Sequence, residues 1–156
     1  MLDRPLYHCN STTLAAGSII EPGNWGRILN LYQRLSYQEP ANGNVHNEVM
    51  LDLARMLYAP QKPSRLSSNF LCPTLDGLAA YRNGFASFSL IYEVELTQPE
   101  SPFHLGDHAL AIQAPLGPQL ALLQSRNRAY WIEDHSASPN QEIAVSSPLR
   151  VLRRIG

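Results

Sequence analysis

The chain has no apolar run near the length of a bilayer span, little charge of either sign, and only two cysteines, Cys9 and Cys72. A spanning helix needs about 20 consecutive apolar residues, so no membrane role is expected. Acidic and basic residues nearly cancel to a net charge of −1, which leaves no field to draw in nucleic acid or an anionic surface. The opening Met1-Leu2-Asp3-Arg4-Pro5 lacks the basic cluster and apolar run of a secretory signal, so a cytoplasmic setting and two free thiols are expected. Glycine-rich phosphate loops are missing too: no GxGxxG follows a strand and no GxxxxGK[ST] occurs, which argues against the familiar nucleotide folds. There is no GxSxG elbow, which argues against a Ser-His-Asp hydrolase.

What remains is a chain of 156 residues, 44% hydrophobic, cut into short elements by 12 prolines and 9 glycines. That length suits one domain over residues 1–156 with a core that needs no staples. Leu6 to Cys9 reads as a first strand, and Gly17 to Ile20 as a second short apolar run. Trp25, Ile28, Leu29 and Tyr32 recur at helical spacing. Val45, Val49, Leu53, Met56 and Leu57 form a second helical stripe, with Asn44 as its cap and Pro60 and Pro63 beyond its end. Between these helices Tyr37 to Asn44 reads as a loop. Ser67 to Cys72 is a strand candidate, Thr74 to Tyr81 a short helix with Asn83-Gly84 as its exit, and Phe88 to Leu96 the clearest strand by alternation. A further helix from Gln119 to about Tyr130 and a closing strand from Leu149 to Ile155 complete the reading. Strands at both ends with helices gathered early indicate α+β rather than a βαβ series.

Four groupings carry possible chemistry. His8, at the end of the first strand, can offer a ring nitrogen to a ribose hydroxyl, or be a satisfied core histidine. Phe70 and Tyr81 flank a strand-turn-helix and can hold a flat cationic ring between them, or be two core aromatics. His104, Asp107 and His108 fall in what reads as a loop after the strongest strand. They could bind a metal if a further ligand joined them, Asp107 could be a lone catalytic acid, or the segment could be a solvated turn. Arg65 could grip a pyrophosphate bidentately, or be an ordinary surface arginine.

Taken in order, four segments resemble the ADP-ribosyltransferase superfamily, most closely the small rifampicin ADP-ribosyltransferases. They are Tyr7-His8-Cys9-Asn10-Ser11 running on to Pro22-Gly23, Asn69-Phe70-Leu71-Cys72-Pro73-Thr74-Leu75-Asp76-Gly77-Leu78-Ala79, Ile91-Tyr92-Glu93-Val94-Glu95, and Ser147-Pro148-Leu149-Arg150-Val151. Together they cover under a third of the chain. The chain also resembles an uncharacterised bacterial family of similar length.

The resemblance implies a split β-sandwich of two small packed sheets with flanking helices. It implies NAD as co-substrate, cleaved at the nicotinamide–ribose bond, with ADP-ribose passed to a protein, a nucleic acid or a small molecule. His8, Phe70 and an acid would be the catalytic groups. Asp107 is the acid expected first and Glu100 second. His8, Cys9, Asn10, Arg65, Phe70 and Tyr81 would line the dinucleotide. Cys9 stands where the superfamily has glycine, and Phe70 where tyrosine is usual. A bacterial toxin or effector, delivered as a domain of a larger chain and checked by an antitoxin or immunity protein, fits the same implication. The alternatives are a catalytically silent binding module of the same fold and a metal-dependent hydrolase using His104, Asp107 and His108.

Overall fold

The structure, a computed structural model, describes residues 5–35, 39–112 and 119–156. Among the described residues seven strands form two antiparallel sheets. β1 (Leu6–Asn10), β4 (Leu90–Leu96), β7 (Leu149–Arg154) and β2 (Ile19–Ile20) make the first, in the order β1-β4-β7-β2. β3 (Asn69–Leu71), β6 (Gln141–Val145) and β5 (Phe103–Asp107) make the second, in the order β3-β6-β5. The helices are α1 (Asn24–Leu35), α2 (Glu39–Tyr58), α3 (Leu75–Phe85), α4 (His108–Ile112), α5 (Gln119–Leu122) and α6 (Arg128–Ile132). The expected α+β class therefore holds, as two antiparallel sheets with flanking helices. Among the described residues no helix is long and apolar enough to cross a membrane.

β4 shows why alternation was the safest strand signal. Tyr92 and Val94 enter the core between the sheets with Leu6, Leu71, Ile143, Val145, Leu149 and Val151, while Ile91 turns the other way to meet Cys72 and Leu78 beneath α3. Glu93 and Glu95 face Arg153 and Arg150 of β7 at 2.7 and 2.8 Å. Such exposed pairs contribute at most about 1 kcal/mol, but they match charge to register. Phe88, expected within this strand, precedes it and is 94% exposed.

One backbone bridge stitches the sheets. Tyr7 N–H donates to the Cys72 carbonyl at 3.0 Å and Cys72 N–H to the Tyr7 carbonyl at 2.8 Å. Nearby, the buried Asn69 amide donates to the carbonyls of Ile20 and Ser147 at 3.1 and 3.0 Å, tying β3 to the edge of the other sheet. These bonds tie the two sheets together along one seam.

Several sequence expectations are corrected here. Residues 39–44, read as loop, belong to α2, with Pro40 in its first turn, where a missing N–H costs nothing. Asn44 therefore lies inside that helix and does not cap it; residues 37 and 38 lie outside the described residues. α3 runs through Asn83-Gly84 to Phe85, with Thr74 capping its start by accepting the Gly77 N–H. His104 to Asp107 is strand, not loop, and His108 opens α4. The helix expected from Gln119 is broken by a π-helical turn, Leu123–Asn127, before α6 continues. β6 was not foreseen.

The largest correction concerns the face of α2. Val49, Leu53, Met56 and Leu57 are exposed, whereas Asn47, Glu48, Leu51 and Ala54 are buried. At about 100° per residue, the buried face lies roughly opposite, about 180° around the helix from the face that apolar periodicity selects. Glu48 and Asn47 go inward because they find partners there, and Leu51 and Ala54 between them join Tyr130 and Trp131 in a second core. Leu51→Ala should therefore cost about 2–5 kcal/mol, and Leu53→Ser no more than about 0.5 kcal/mol. Urea unfolding of both variants checks this; a larger loss at Leu53 would contradict the inward face.

Candidate functional site

A cleft of about 360 Å³ opens beside the seam between the sheets. β1 contributes His8 and Cys9, β3 contributes Phe70 and Leu71, and β6 contributes Glu142. Helices wall it with Trp25 from α1, Asn47 and Glu48 from α2, Leu78, Tyr81 and Phe85 from α3, and His108 from α4. Volume and mixed lining suit a small-molecule site.

Its charged centre is Arg65, on a 3-10 turn, Arg65–Ser67, leading into β3. The guanidinium is buried and meets Glu48 through Nε at 3.0 Å, Glu142 through Nη1, and the Tyr130 hydroxyl at 2.8 Å. The Tyr130 hydroxyl in turn donates to Glu142 at 2.7 Å. Burial alone would lower the Arg65 pKa, but the carboxylates of Glu142 and Glu48 and the Tyr130 phenol outweigh it and hold it above its usual value. Burial raises the Tyr130 phenol, with Arg65 opposing and Glu142 adding. Two carboxylates on one guanidinium give the cluster a formal charge of −1. Gly106 makes room for this network: a Cβ there would lie 2.6 Å from the Tyr130 ring.

Arg65 also stacks on Phe70, its guanidinium carbon 4.5 Å from the ring centre. Phe70 is held from the other side of the seam as well, where the ring Nδ1 of His8 lies 2.8 Å from its carbonyl oxygen. A carbonyl can only accept, so Nδ1 carries the proton. Burial lowers the His8 pKa, partly offset by that bond, so the ring is neutral and Nε2 offers a lone pair. Both thiols line the cleft and are free. Burial raises Cys9, and burial with Glu142 nearby pushes Cys72 up to about 12, which makes them poor nucleophiles.

Five of the six residues expected to bind the dinucleotide gather here: His8, Cys9, Arg65, Phe70 and Tyr81 all line the cleft. Arg65 is buried rather than a surface residue. Tyr81 contacts Phe85 and His108, with centroids 5.7 and 5.3 Å away. Asn10 does not line the cleft; its side chain accepts the Thr12 N–H at 2.9 Å in a turn. Asp107, the acid expected first, is also outside. Its oxygens accept from the Ala109 N–H at 2.8 Å and the Ser138 hydroxyl at 2.7 Å, capping α4. Glu100 lies in an exposed turn away from the cleft.

Two carboxylates line the cleft, Glu48 and Glu142; sequence reasoning put neither in the place of the acid, and it missed Glu142 along with its strand. The available signal was a charge in the β-prone run Gln141-Glu142-Ile143-Ala144-Val145. In such a run a buried acid implies a buried partner.

The metal alternative loses its ligand set. His104 stacks on Trp131 at 4.7 Å and its Nε2 lies 2.8 Å from the Tyr130 carbonyl, while His108 sits edge-on to Tyr81 and Phe85. Among the described residues no three His, Cys, Asp or Glu side chains are grouped to hold a metal ion.

No protein-family model matches the chain, and no curated protein matches it.

The buried imidazoles make stability depend on pH. Burial first, then the Lys62 ammonium, lowers His104 to about 3 from 6.5, and burial lowers His8 and His108 as well. Below 6.5 the unfolded chain therefore binds more protons than the folded one, and stability rises with pH. It should be complete above about pH 6.5 and fall steadily toward acid. Urea midpoints between pH 7.5 and pH 4.5 test this, and His104→Gln, which keeps a donor to the Tyr130 carbonyl, should flatten the slope. A midpoint independent of pH over that range would contradict it. Arg65→Met, which strands two buried carboxylates, should cost about 3–5 kcal/mol in the same assay at pH 7.

Proposed function

We propose that the protein cleaves NAD⁺ at the nicotinamide–ribose bond and transfers ADP-ribose to an acceptor, on an ADP-ribosyltransferase-like split sandwich. The observation that carries this reading is the convergence of His8, Phe70, Tyr81 and a carboxylate on one cleft beside the seam of two sheets. His8 and Phe70 are 62 residues apart in sequence, yet they are joined by a hydrogen bond.

The chemistry follows from what each group can do. Breaking a glycosidic bond to a cationic leaving ring builds positive charge on the ribose. Glu142, clamped by Arg65 and Tyr130, is a fixed negative charge that needs no reorganisation as that charge grows. The Nε2 lone pair of His8 accepts from a ribose hydroxyl and orients the sugar. Phe70 and Tyr81 supply ring faces that hold the leaving group and exclude water. The backbone of Cys9 serves the nicotinamide amide in this reading. Its side chain does not interfere, because the contact is made by main-chain groups.

The acid in this proposal is Glu142 rather than Asp107 or Glu100. A catalytically silent binding module is the second reading, favoured by the fact that Glu142 already has both Arg65 and Tyr130 on it.

Incubation with labelled NAD⁺ separates the two. Nicotinamide release, with label passing to protein, nucleic acid or water, is expected. Glu142→Gln should lower that release by about 100-fold or more. Asp107→Asn should leave turnover within about threefold and cost less than about 1 kcal/mol of stability, because asparagine caps a helix about as well as aspartate. Absence of nicotinamide release across all acceptors would move the assignment to the binding module. Loss of turnover in a folded Asp107→Asn would return the acid to Asp107.

A further inference from the structure

Phe88, at 94% exposure, is the large apolar side chain that the described fold leaves most completely in water. Burying such a ring is favourable, and this one is presented rather than tucked away. The turn from Ala86 to Ser89 joins α3 to β4 and is closed by the Ser89 N–H on the Ala86 carbonyl at 2.8 Å. Phe88 is its third residue.

The ring stands on the rim of the cleft. Phe85, at the end of α3, lines the cleft and is itself 59% exposed. Three residues of chain span at most about 11 Å, so Phe88 cannot lie far from it. Phe85 is fixed from within by Tyr81 and His108, whose ring centres are 5.7 and 6.1 Å away. Rings therefore continue from the cleft wall to the outer surface.

The charge on this rim is positive. From Arg82 to Leu90 the chain carries one cation and no acid. The end of β7 adds a second cation, because the Ile155 N–H donates to the Ile91 carbonyl at 2.9 Å and brings exposed Arg154 alongside the start of β4. The acids of β4, Glu93 and Glu95, are already matched by Arg153 and Arg150. Among the described residues neither Arg82 nor Arg154 forms an ion pair. A partner for two exposed rings beside two unmatched guanidinium groups has flat faces and negative charge together. An acidic peptide brings the charge without a series of flat faces. Unpaired bases on a phosphate chain bring both.

We propose that the rim of Phe85, Phe88, Arg82 and Arg154 holds a single-stranded nucleic acid, with bases on the rings and phosphates on the guanidinium groups. The net charge of −1 makes this a contact led by stacking, with little long-range attraction. Binding stands on the rim alone. Naming the strand as the ADP-ribose acceptor rests on the ADP-ribosyl reading, because the rim adjoins the cleft in which the ribose is released.

A dye-labelled oligothymidine of about eight nucleotides, titrated with the full chain and followed by fluorescence anisotropy, tests it. Two phosphate contacts predict a slope of about −1.4 for log K against log salt, and Arg154→Gln should make it shallower by about 0.7. Phe88→Ala should weaken binding by about tenfold or more, and Phe88→Tyr, which keeps the ring face, should stay within about threefold of wild type. Urea midpoints confirm that both variants fold. No saturable binding at about 50 mM salt overturns the proposal, as does wild-type affinity in Phe88→Ala or a duplex that binds as tightly as the single strand. Displacement of the strand by an acidic phenylalanine-bearing peptide at equal concentration overturns it too, and gives the rim to a protein. Labelled NAD⁺ then tests the acceptor: label should pass to the bound strand and fail to do so in Phe88→Ala, while nicotinamide release to water persists. NAD⁺ cleavage without strand binding sinks the rim and spares the ADP-ribosyl reading; strand binding without cleavage does the reverse.

Discussion

The guanidinium of Arg65 is the part on which the rest of the cleft depends. One buried cation joins side chains from four elements: Glu48 on α2, Tyr130 on α6, Glu142 on β6 and the ring of Phe70 on β3. Buried ion clusters rarely add net stability over well-packed apolar residues of the same size. What this one supplies is position. It turns α2 so that Glu48 and Asn47 face inward, fixes the Glu142 carboxylate in a single orientation, and holds Phe70 beside the His8 strand. An apolar substitute could fill the space but could not carry a fixed charge to the cleft.

The seam between the sheets explains where the site lies. The two sheets bond through Tyr7 and Cys72, and the cleft opens beside that bridge. His8, Cys9 and Phe70 are the residues next to it. Trp25, Asn47 and His108 reach the same cleft from α1, α2 and α4. Strands and helices therefore both line the cleft.

Much of the fold was legible in the sequence, and much of the site was not, for one physical reason. Period-two alternation in Leu90–Leu96 and the start of α1 were readable because apolar burial dominates there. The convergence of His8, Phe70 and Tyr81 came from the order of short segments rather than from composition. The position of Asp107 outside the cleft was not legible, because an acid beside two histidines reads the same whether it caps a helix or enters a cleft. Its partners, Ala109 and Ser138, are set by tertiary structure. Glu142 and the inward face of α2 were missed together because hydrophobic periodicity treats every charge as solvent-facing. Arg65, 77 residues from Glu142 and 17 from Glu48, reverses that rule at both positions.

A crystal structure with a non-hydrolysable NAD⁺ analogue bound tests the central claim most directly. The account predicts the nicotinamide ring against Phe70 and Tyr81, a ribose hydroxyl on His8 Nε2, and the Glu142 carboxylate beside the anomeric carbon. An analogue bound away from the cleft, or a cleft holding it with Glu142 turned from the ribose, would contradict it.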